Sequence, residues 1–231
     1  MNMEKVLHRE SQETRDFIAD WIAPDFFYSK KDVWHRFGFL GVFTDYVLSC
    51  MPGNVAEIGV GESSIYLSHV ARKYGRKIFH CDVARGKIVN PLTVDGYLTK
   101  EAVFPHPNDQ LILKDNSLFF IGTSDDFFNS VDMEPLALTF IDGDHLYPQV
   151  KKDFWNAVYL TVSDGYILLH DTYPPSEDYV REERCGSVFM LRQEIERDAR
   201  FDCLTLTRGT AIGVGLTIVR VKPKERVYYQ S

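Results

Sequence analysis

The sequence predicts an α/β fold: a doubly wound, mostly parallel sheet preceded by N-terminal helices. Three observations predict it. Short apolar runs alternate with helix-period segments from Val55 to Arg200, the pattern of a sheet covered on both faces. A glycine-bearing turn, Gly59–Ser63, joins the first apolar run to the first core helix. Two later runs end in carboxylates and imidazoles: Phe-Ile-Asp-Gly-Asp-His at 140–145 and Leu-Leu-His-Asp-Thr at 168–172. In an open α/β sheet the C-terminal strand edge is where ligands bind.

The elements follow in order. Glu4–Ile22 reads as a polar helix. Asp32–Cys50 reads as a more apolar one, with Val33, Phe37, Leu40, Phe43, Val47 and Leu48 at helical spacing. Met51-Pro52-Gly53-Asn54 punctuates its end. Val55–Val60 is a strand, Ser64–Tyr74 a helix closed by Gly75, and Lys77–Val83 a second strand, which completes a β-turn-α-β unit. Residues 85–117 carry Pro91, Pro105 and Pro107 and read as an excursion with one short helix or strand. Leu118–Gly122 is a strand, Asp125–Val131 a short helix, Leu136–Ile141 a strand, Tyr147–Leu160 a helix and Tyr166–Leu169 a strand. Tyr173–Cys185 is a charged, proline-bearing loop, and Val188–Arg200 a helix. Phe201–Thr207 and Ile212–Val221, joined by Arg208-Gly209-Thr210-Ala211, close the chain as an antiparallel hairpin at the sheet edge. This divides the chain into an N-terminal helical extension or lid at 1–50 and a core domain at 51–231.

With 231 residues, 45% hydrophobic and 26% charged, the composition is that of a globular protein with a sizeable core. The net charge of −7 argues against nucleic-acid binding, which needs a basic surface. No apolar run approaches the roughly 20 residues that span a bilayer, and the polar N-terminus has no signal-like segment. The expectation is a cytoplasmic protein without membrane contact. Cys50, Cys81, Cys185 and Cys203 form no Cys-x-x-Cys and are read as thiols in a reducing compartment.

Glu57-Ile58-Gly59-Val60-Gly61-Glu62-Ser63-Ser64 sits where the first strand turns into a helix. Glycines there let a ligand approach the backbone, and the helix start offers free N–H groups. Asp82, ending the second strand, can accept hydrogen bonds from both ribose hydroxyls. A dinucleotide turn wants a third glycine where this chain has Ser64, and Glu57 and Glu62 would repel a diphosphate. A cationic nucleoside such as S-adenosylmethionine suits the turn better.

At the other strand ends, Asp142, Asp144, His145, His170 and Asp171 have the composition of a metal-assisted or acid–base site. Two of them have competing structural roles. Asp144 can cap the helix that starts near Tyr147, and His170 can be a strand-end histidine hydrogen-bonded to a carboxylate. Lys151, Lys152 and Asp153 read as a solvated helix face, and Tyr173-Pro174-Pro175 as a substrate wall.

These residues together resemble class I S-adenosylmethionine-dependent methyltransferases from about Val55 to Val221. The resemblance implies a Rossmann-like, seven-stranded sheet with an antiparallel last strand. It implies that Gly59, Gly61 and Ser63, beside Glu57, line the methionine end of the cofactor. Asp82 would hold the ribose, and Ser124 and Asp125 would lie near the adenine. Within that class the chain is most similar to small metal-dependent O-methyltransferases, including those acting on macrolide sugars and, more distantly, the catechol and caffeoyl-coenzyme A types. In the sugar-modifying group an Asp-x-x-His supplies a metal ligand and a base, here Asp142 and His145. An acidic pair follows the next strand, here His170 and Asp171. His170 replaces a carboxylate, which favours manganese or iron over magnesium or signals that no metal binds. Thr172 departs from the asparagine of the catechol type.

The expected activity is therefore O-methylation of a hydroxylated small molecule, assisted by a divalent cation such as Mg or Mn, with His145 as general base. A metal-dependent hydrolase or hydroxylase-like enzyme and a non-catalytic nucleoside-binding module are the alternatives. The N-terminal helices are candidates for a dimer contact, so a homo-oligomer is among the expectations.

Overall fold

The structure is a computed structural model that describes residues 33–61, 63–83, 111–112, 116–133, 135–181, 184–207 and 214–223. The helix expected at Glu4–Ile22, most of the 85–117 excursion and the Arg208–Ala211 turn lie outside the described residues.

The chain runs α1 (Val33–Cys50), β1 (Asn54–Ile58), α2 (Ser63–Lys73), β2 (Ile78–Asp82), β3 (Leu111–Ile112), β4 (Ser117–Ile121), α3 (Ser124–Ser130) and β5 (Leu136–Ile141). It continues with α4 (Tyr147–Leu160), β6 (Thr161–His170), a 3-10 turn (Glu177–Val180), α5 (Val188–Ile195), β7 (Phe201–Leu206) and β8 (Leu216–Val221). The sheet order is β3-β4-β2-β1-β5-β6-β8-β7. Seven strands make the frame. β4, β2, β1, β5 and β6 pair in parallel, and β8, last in the chain, is antiparallel to both β6 and β7. The two-residue β3 adds an antiparallel edge to β4.

Strands buried on both faces tend to apolar runs, and β5 is nearly one, while β1 and β2 carry the buried polar side chains of Glu57 and His80 among their apolar residues. Successive side chains alternate between faces. Val55, Ile78, Phe140 and Leu168 pack on one face with Leu40, Val47, Leu67 and Val70 of α1 and α2. Ala56, Phe79, Phe120 and Leu169 pack on the other with Phe127, Val150, Phe154 and Leu191 of α3, α4 and α5. Phe119, Phe127, Phe140 and Phe154 are among the largest fully buried side chains. Each contributes about 1.5–3 kcal/mol of transfer free energy.

Three of the boundaries that differ from expectation have a visible cause. β6 starts at Thr161 rather than Tyr166. Its Val-Ser-Asp-Gly sequence does turn, but as an irregularity within the strand. Leu136 and Leu138 pair with Thr161 and Tyr166, and Asp164 sits at φ +68° with its carboxylate held by Arg220. α5 ends at Ile195, short of Arg200, and Asp198 accepts the Arg200 N–H in the turn that follows. α3 starts at Ser124 because the Thr123 hydroxyl accepts the Asp126 N–H at 3.1 Å, an N-cap. Among the described residues no helix is long and apolar enough to cross a membrane.

Candidate active site

The β1–α2 turn is built on a buried carboxylate. Glu57 points to the α2 face and is 0% exposed. It accepts hydrogen bonds from the Ser63 and Ser64 hydroxyls at 2.5 and 2.6 Å, and its Oε2 lies 2.6 Å from His80 Nδ1. His80 is itself fully buried, stacks on Phe119 and reaches Ser68 Oγ at 3.1 Å through Nε2. The Ser64 hydroxyl also accepts the Gly61 N–H. Ser64, where a dinucleotide turn would have glycine, therefore ties the turn to Glu57. Neither that role nor the His80 partnership is visible in the sequence spacing.

The two glycines act differently. Gly59 has φ +88°, and a Cβ there would lie 2.0 Å from the Asp142 carbonyl oxygen, so only glycine fits. This is where the β1 turn and the end of β5 meet. At Gly61 a Cβ would find nothing within 4 Å, so space beside the backbone is open to a ligand. Asp82, 7% exposed at the end of β2, accepts the Val60 N–H at 2.9 Å, which places its carboxylate against the same turn. Turn, open space and carboxylate fit a nucleoside.

The second constellation assembles because β5 and β6 are parallel neighbours with Ile141 opposite Leu169. Asp142 and His170 thus leave adjacent strand ends together. His170 Nδ1 lies 3.1 Å from Asp142 Oδ1 and 3.3 Å from Asp171 Oδ1. His145 Nε2 lies 2.9 Å from Asp171 Oδ2. Asp171 reaches both imidazoles by taking φ +60°, a conformation that costs a non-glycine residue energy and clusters at functional sites. Burial disfavours its charge, but hydrogen bonds from His145 and His170 outweigh this and hold the carboxyl well below the ordinary range. Burial likewise opposes protonation of His170, yet the Asp142 charge and the bonds to both carboxylates raise it to about 10. Burial and Asp171 push the neighbouring Cys185 thiol up to about 12.

Asp142, His170 and Asp171 each offer a ligand atom, all within 4.8 Å of one another. Two ligands of one ion with bonds of about 2.0–2.3 Å stand at most about 4.6 Å apart, so the set is near the spacing of a divalent-cation site and would hold an ion once the His170 ring gives up its proton. Asp144 is not among them. Its carboxylate accepts the Leu146 N–H two residues on, a local turn rather than a cap on α4, whose N-cap is Leu146. Thr172 is fully buried and bonds to the Thr217 hydroxyl of β8, so it serves the sheet rather than the site. Tyr173 is exposed beside the site, with Arg192 over its ring.

Ser124 and Asp125 lie at the end of β4, on the α3–α5 face. Gln149 Nε2 of α4 donates its two hydrogens to Ser124 Oγ and Asp153 Oδ1, each at 3.0 Å, and lies 3.4 Å from Asp125 Oδ1. The expected solvated face at 151–153 is corrected here. Lys151 is half-buried and Lys152 exposed, and they pair with Glu194 and Asp125, but Asp153 is 0% exposed. Burial raises its carboxyl to about 6, against hydrogen bonds from Ser124 and Gln149 that favour the charge. Its place three residues after Val150 and one before Phe154, on the apolar stripe, was the available signal.

Comparison with known proteins gives a family. The methyltransferase-domain family matches residues 56–172, half of the chain. A search of curated proteins returns no sequence match. Among solved structures, a cofactor-bound protein from MTB is 16% identical with a TM-score of 0.59, covering 80% of this chain and 79% of that one. A Staphylococcus aureus protein assigned as a caffeoyl-CoA O-methyltransferase is 14% identical, TM-score 0.58, covering 79% and 82%. The MycE methyltransferase of the mycinamycin pathway, in complex with Mg and SAH, is 12% identical, TM-score 0.53, covering 83% of this chain and 51% of that one. At these identities the structures speak to the fold, and they share it. The match spans the β1–α2 turn and the ends of β5 and β6, and the chain belongs to the methyltransferase-domain family of class I S-adenosylmethionine-dependent methyltransferases.

Proposed function

We propose that the protein methylates a hydroxyl oxygen of a small hydroxylated molecule, with His145 as general base and a divalent cation assisting. The observation that carries the reading is the His145–Asp171 pair at 2.9 Å beside Asp142 and His170. S-adenosylmethionine, when bound, supplies a methyl carbon activated by its sulfonium. The residues of this chain then have two tasks, to position the acceptor and to take its proton. With the Nε2–H donated to Asp171, the neutral ring of His145 carries its lone pair on Nδ1. That nitrogen takes the hydroxyl proton as the oxygen gains the methyl group, and later returns it to water. Asp171 holds the ring in this tautomer and stabilises the cation that forms. A divalent ion held by Asp142, His170 and Asp171 would lower the hydroxyl pKa, and the imidazole favours manganese or iron over magnesium.

The fold relatives named as an O-methyltransferase and as a complex with Mg and SAH support this reading. Family membership weighs against a metal-dependent hydrolase or hydroxylase-like enzyme and against a non-catalytic nucleoside-binding module. The acidic charge of −7 disfavours a nucleic-acid acceptor. A lid at residues 1–50 and a homo-oligomer belong to the same proposal.

The test is methyl transfer from labelled S-adenosylmethionine to a panel of sugars, catechols and polyketide alcohols. His145→Ala is expected to lower kcat by about 10²–10⁴ while leaving S-adenosylhomocysteine affinity unchanged. EDTA is expected to suppress turnover, and Mn²⁺ to restore it better than Mg²⁺. Wild-type activity in the His145 variant removes the base, and methylation only at nitrogen or carbon removes the reading.

A further inference from the structure

We propose that Gln149 and Asp153 are positioning residues that hold the Ser124–Asp125 turn in the shape that reads the adenine ring of the methyl donor. The inference rests on the methyl donor of the proposed function and on the placement of Ser124 and Asp125 beside its adenine, which the resemblance to class I methyltransferases implies.

The starting point is a side chain that packing alone does not require. α4 buries Val150, Asp153, Phe154 and Ala157, one helical stripe against the sheet. Three of these are apolar and the fourth is a carboxylate with no exposure. A buried carboxylate costs several kcal/mol unless its surroundings compensate, and among the described residues no cation pairs with this one. A leucine would fill the position without that cost. What the carboxylate adds is an acceptor. Its Oδ1 takes a hydrogen from Gln149 Nε2, which fixes the orientation of the amide. The same nitrogen lies 3.0 Å from Ser124 Oγ and 3.4 Å from Asp125 Oδ1. Lys152, on the next position of α4, holds the other Asp125 oxygen at 3.2 Å. One turn of α4 thus clamps the first two residues of α3.

This clamp matters for recognition. Adenine differs from hypoxanthine by an exocyclic amine in place of a carbonyl. Telling them apart needs an acceptor at a fixed place, because a site built to receive a donor rejects an analogue that lacks it. Asp125 supplies such an acceptor, and Gln149, braced by Asp153, fixes where the turn that carries it stands through the Ser124 hydroxyl next to it.

The test measures binding of S-adenosylhomocysteine and of S-inosylhomocysteine, its hypoxanthine analogue, by calorimetry. The proteins are the wild type and Gln149→Leu, Asp153→Leu and Asp153→Asn. Asp153→Leu is expected to keep or raise Tm, since an apolar side chain replaces a buried charge. The same variant is expected to bind S-adenosylhomocysteine about tenfold more weakly. Its preference for the adenine compound should shrink by the same factor. Gln149→Leu should behave alike, at a partly buried position where folding is not at risk. Asp153→Asn, which keeps an acceptor oxygen, should stay near wild type. The inference is overturned if both leucine variants bind S-adenosylhomocysteine normally while Ser124→Ala and Asp125→Ala weaken it. It is also overturned if affinity for both nucleosides falls equally together with Tm, the mark of a merely structural role. If Ser124→Ala and Asp125→Ala leave affinity untouched, the adenine placement itself is wrong and the inference falls with it.

Discussion

At the β1–α2 turn, Glu57 and His80 are fully enclosed and their partners are hydroxyls and each other. At the ends of β5 and β6, the Asp142 and His145 side chains keep 24% and 25% of their surface exposed. Both regions use carboxylates and imidazoles on one sheet edge, and they meet at Gly59 and Asp142. In the function proposed above, one is a frame and the other a reactive surface. A frame must not move, so its polar groups are satisfied by neighbours that no ligand displaces. A reactive group must exchange a protein partner for a substrate, so it stays within reach of solvent. The residue type does not distinguish the two roles, but enclosure does.

The comparison can be broken most severely at Glu57. Glu57→Leu strands His80, Ser63 and Ser64 without their buried acceptor, and is expected to cost about 3–5 kcal/mol in denaturant unfolding. A loss under about 1 kcal/mol would mean the frame is not held by this carboxylate. Gly59→Ala strikes the junction, where φ is +88° and the Asp142 carbonyl stands in the way. It is expected to cost about 2–3 kcal/mol. Because the two halves meet there, S-adenosylhomocysteine affinity and kcat should fall together, and a change in one alone would separate the halves.

His170 sharpens the contrast through pH. Its folded pKa, about 10, lies above the ordinary 6.5, so the protonated ring is favoured in the fold. The stability it contributes is fully present below pH 6.5 and is lost as pH rises toward 10. In EDTA, wild-type Tm should decline across that window by more than the Tm of His170→Gln, as read by scanning calorimetry. Parallel profiles would show that the Asp142–His170–Asp171 cluster carries no such linkage. The smallest effect is expected at Lys73, half-exposed on α2 and 2.7 Å from Asp45. Lys73→Ala should change stability by less than about 1 kcal/mol, because a solvated pair belongs to neither the frame nor the reactive surface.

Much of this was legible in the chain. The short, largely apolar runs of β1, β2 and β5 announce buried strands, and α4 matches its expected Tyr147–Leu160 span. Asp82 ends its strand beside the turn, as the spacing implies. What stayed hidden depended on distant partners. Residues 161–165 fall between the expected helix and strand, and only the pairing of Thr161 with Leu136 and the bond of Arg220 to Asp164 make them part of β6. Asp153, directly after two lysines, reads as surface until the rotation of α4 against the sheet is known. Asp144 stands in the same cluster of letters as Asp142 and spends its carboxylate on a local turn.

The sequence by itself determined which segments are strands, and that acids and imidazoles gather where those strands end. Parallel strands share one C-terminal edge, so local patterning suffices to bring these residue types to one side of the molecule. Only the tertiary structure decided which of them face each other. Register placed His170 between Asp142 and Asp171, a positive φ turned Asp171 toward His145, and helix rotation put Asp153 beneath Gln149. Those are long-range choices, made by packing across the sheet, and no local period encodes them.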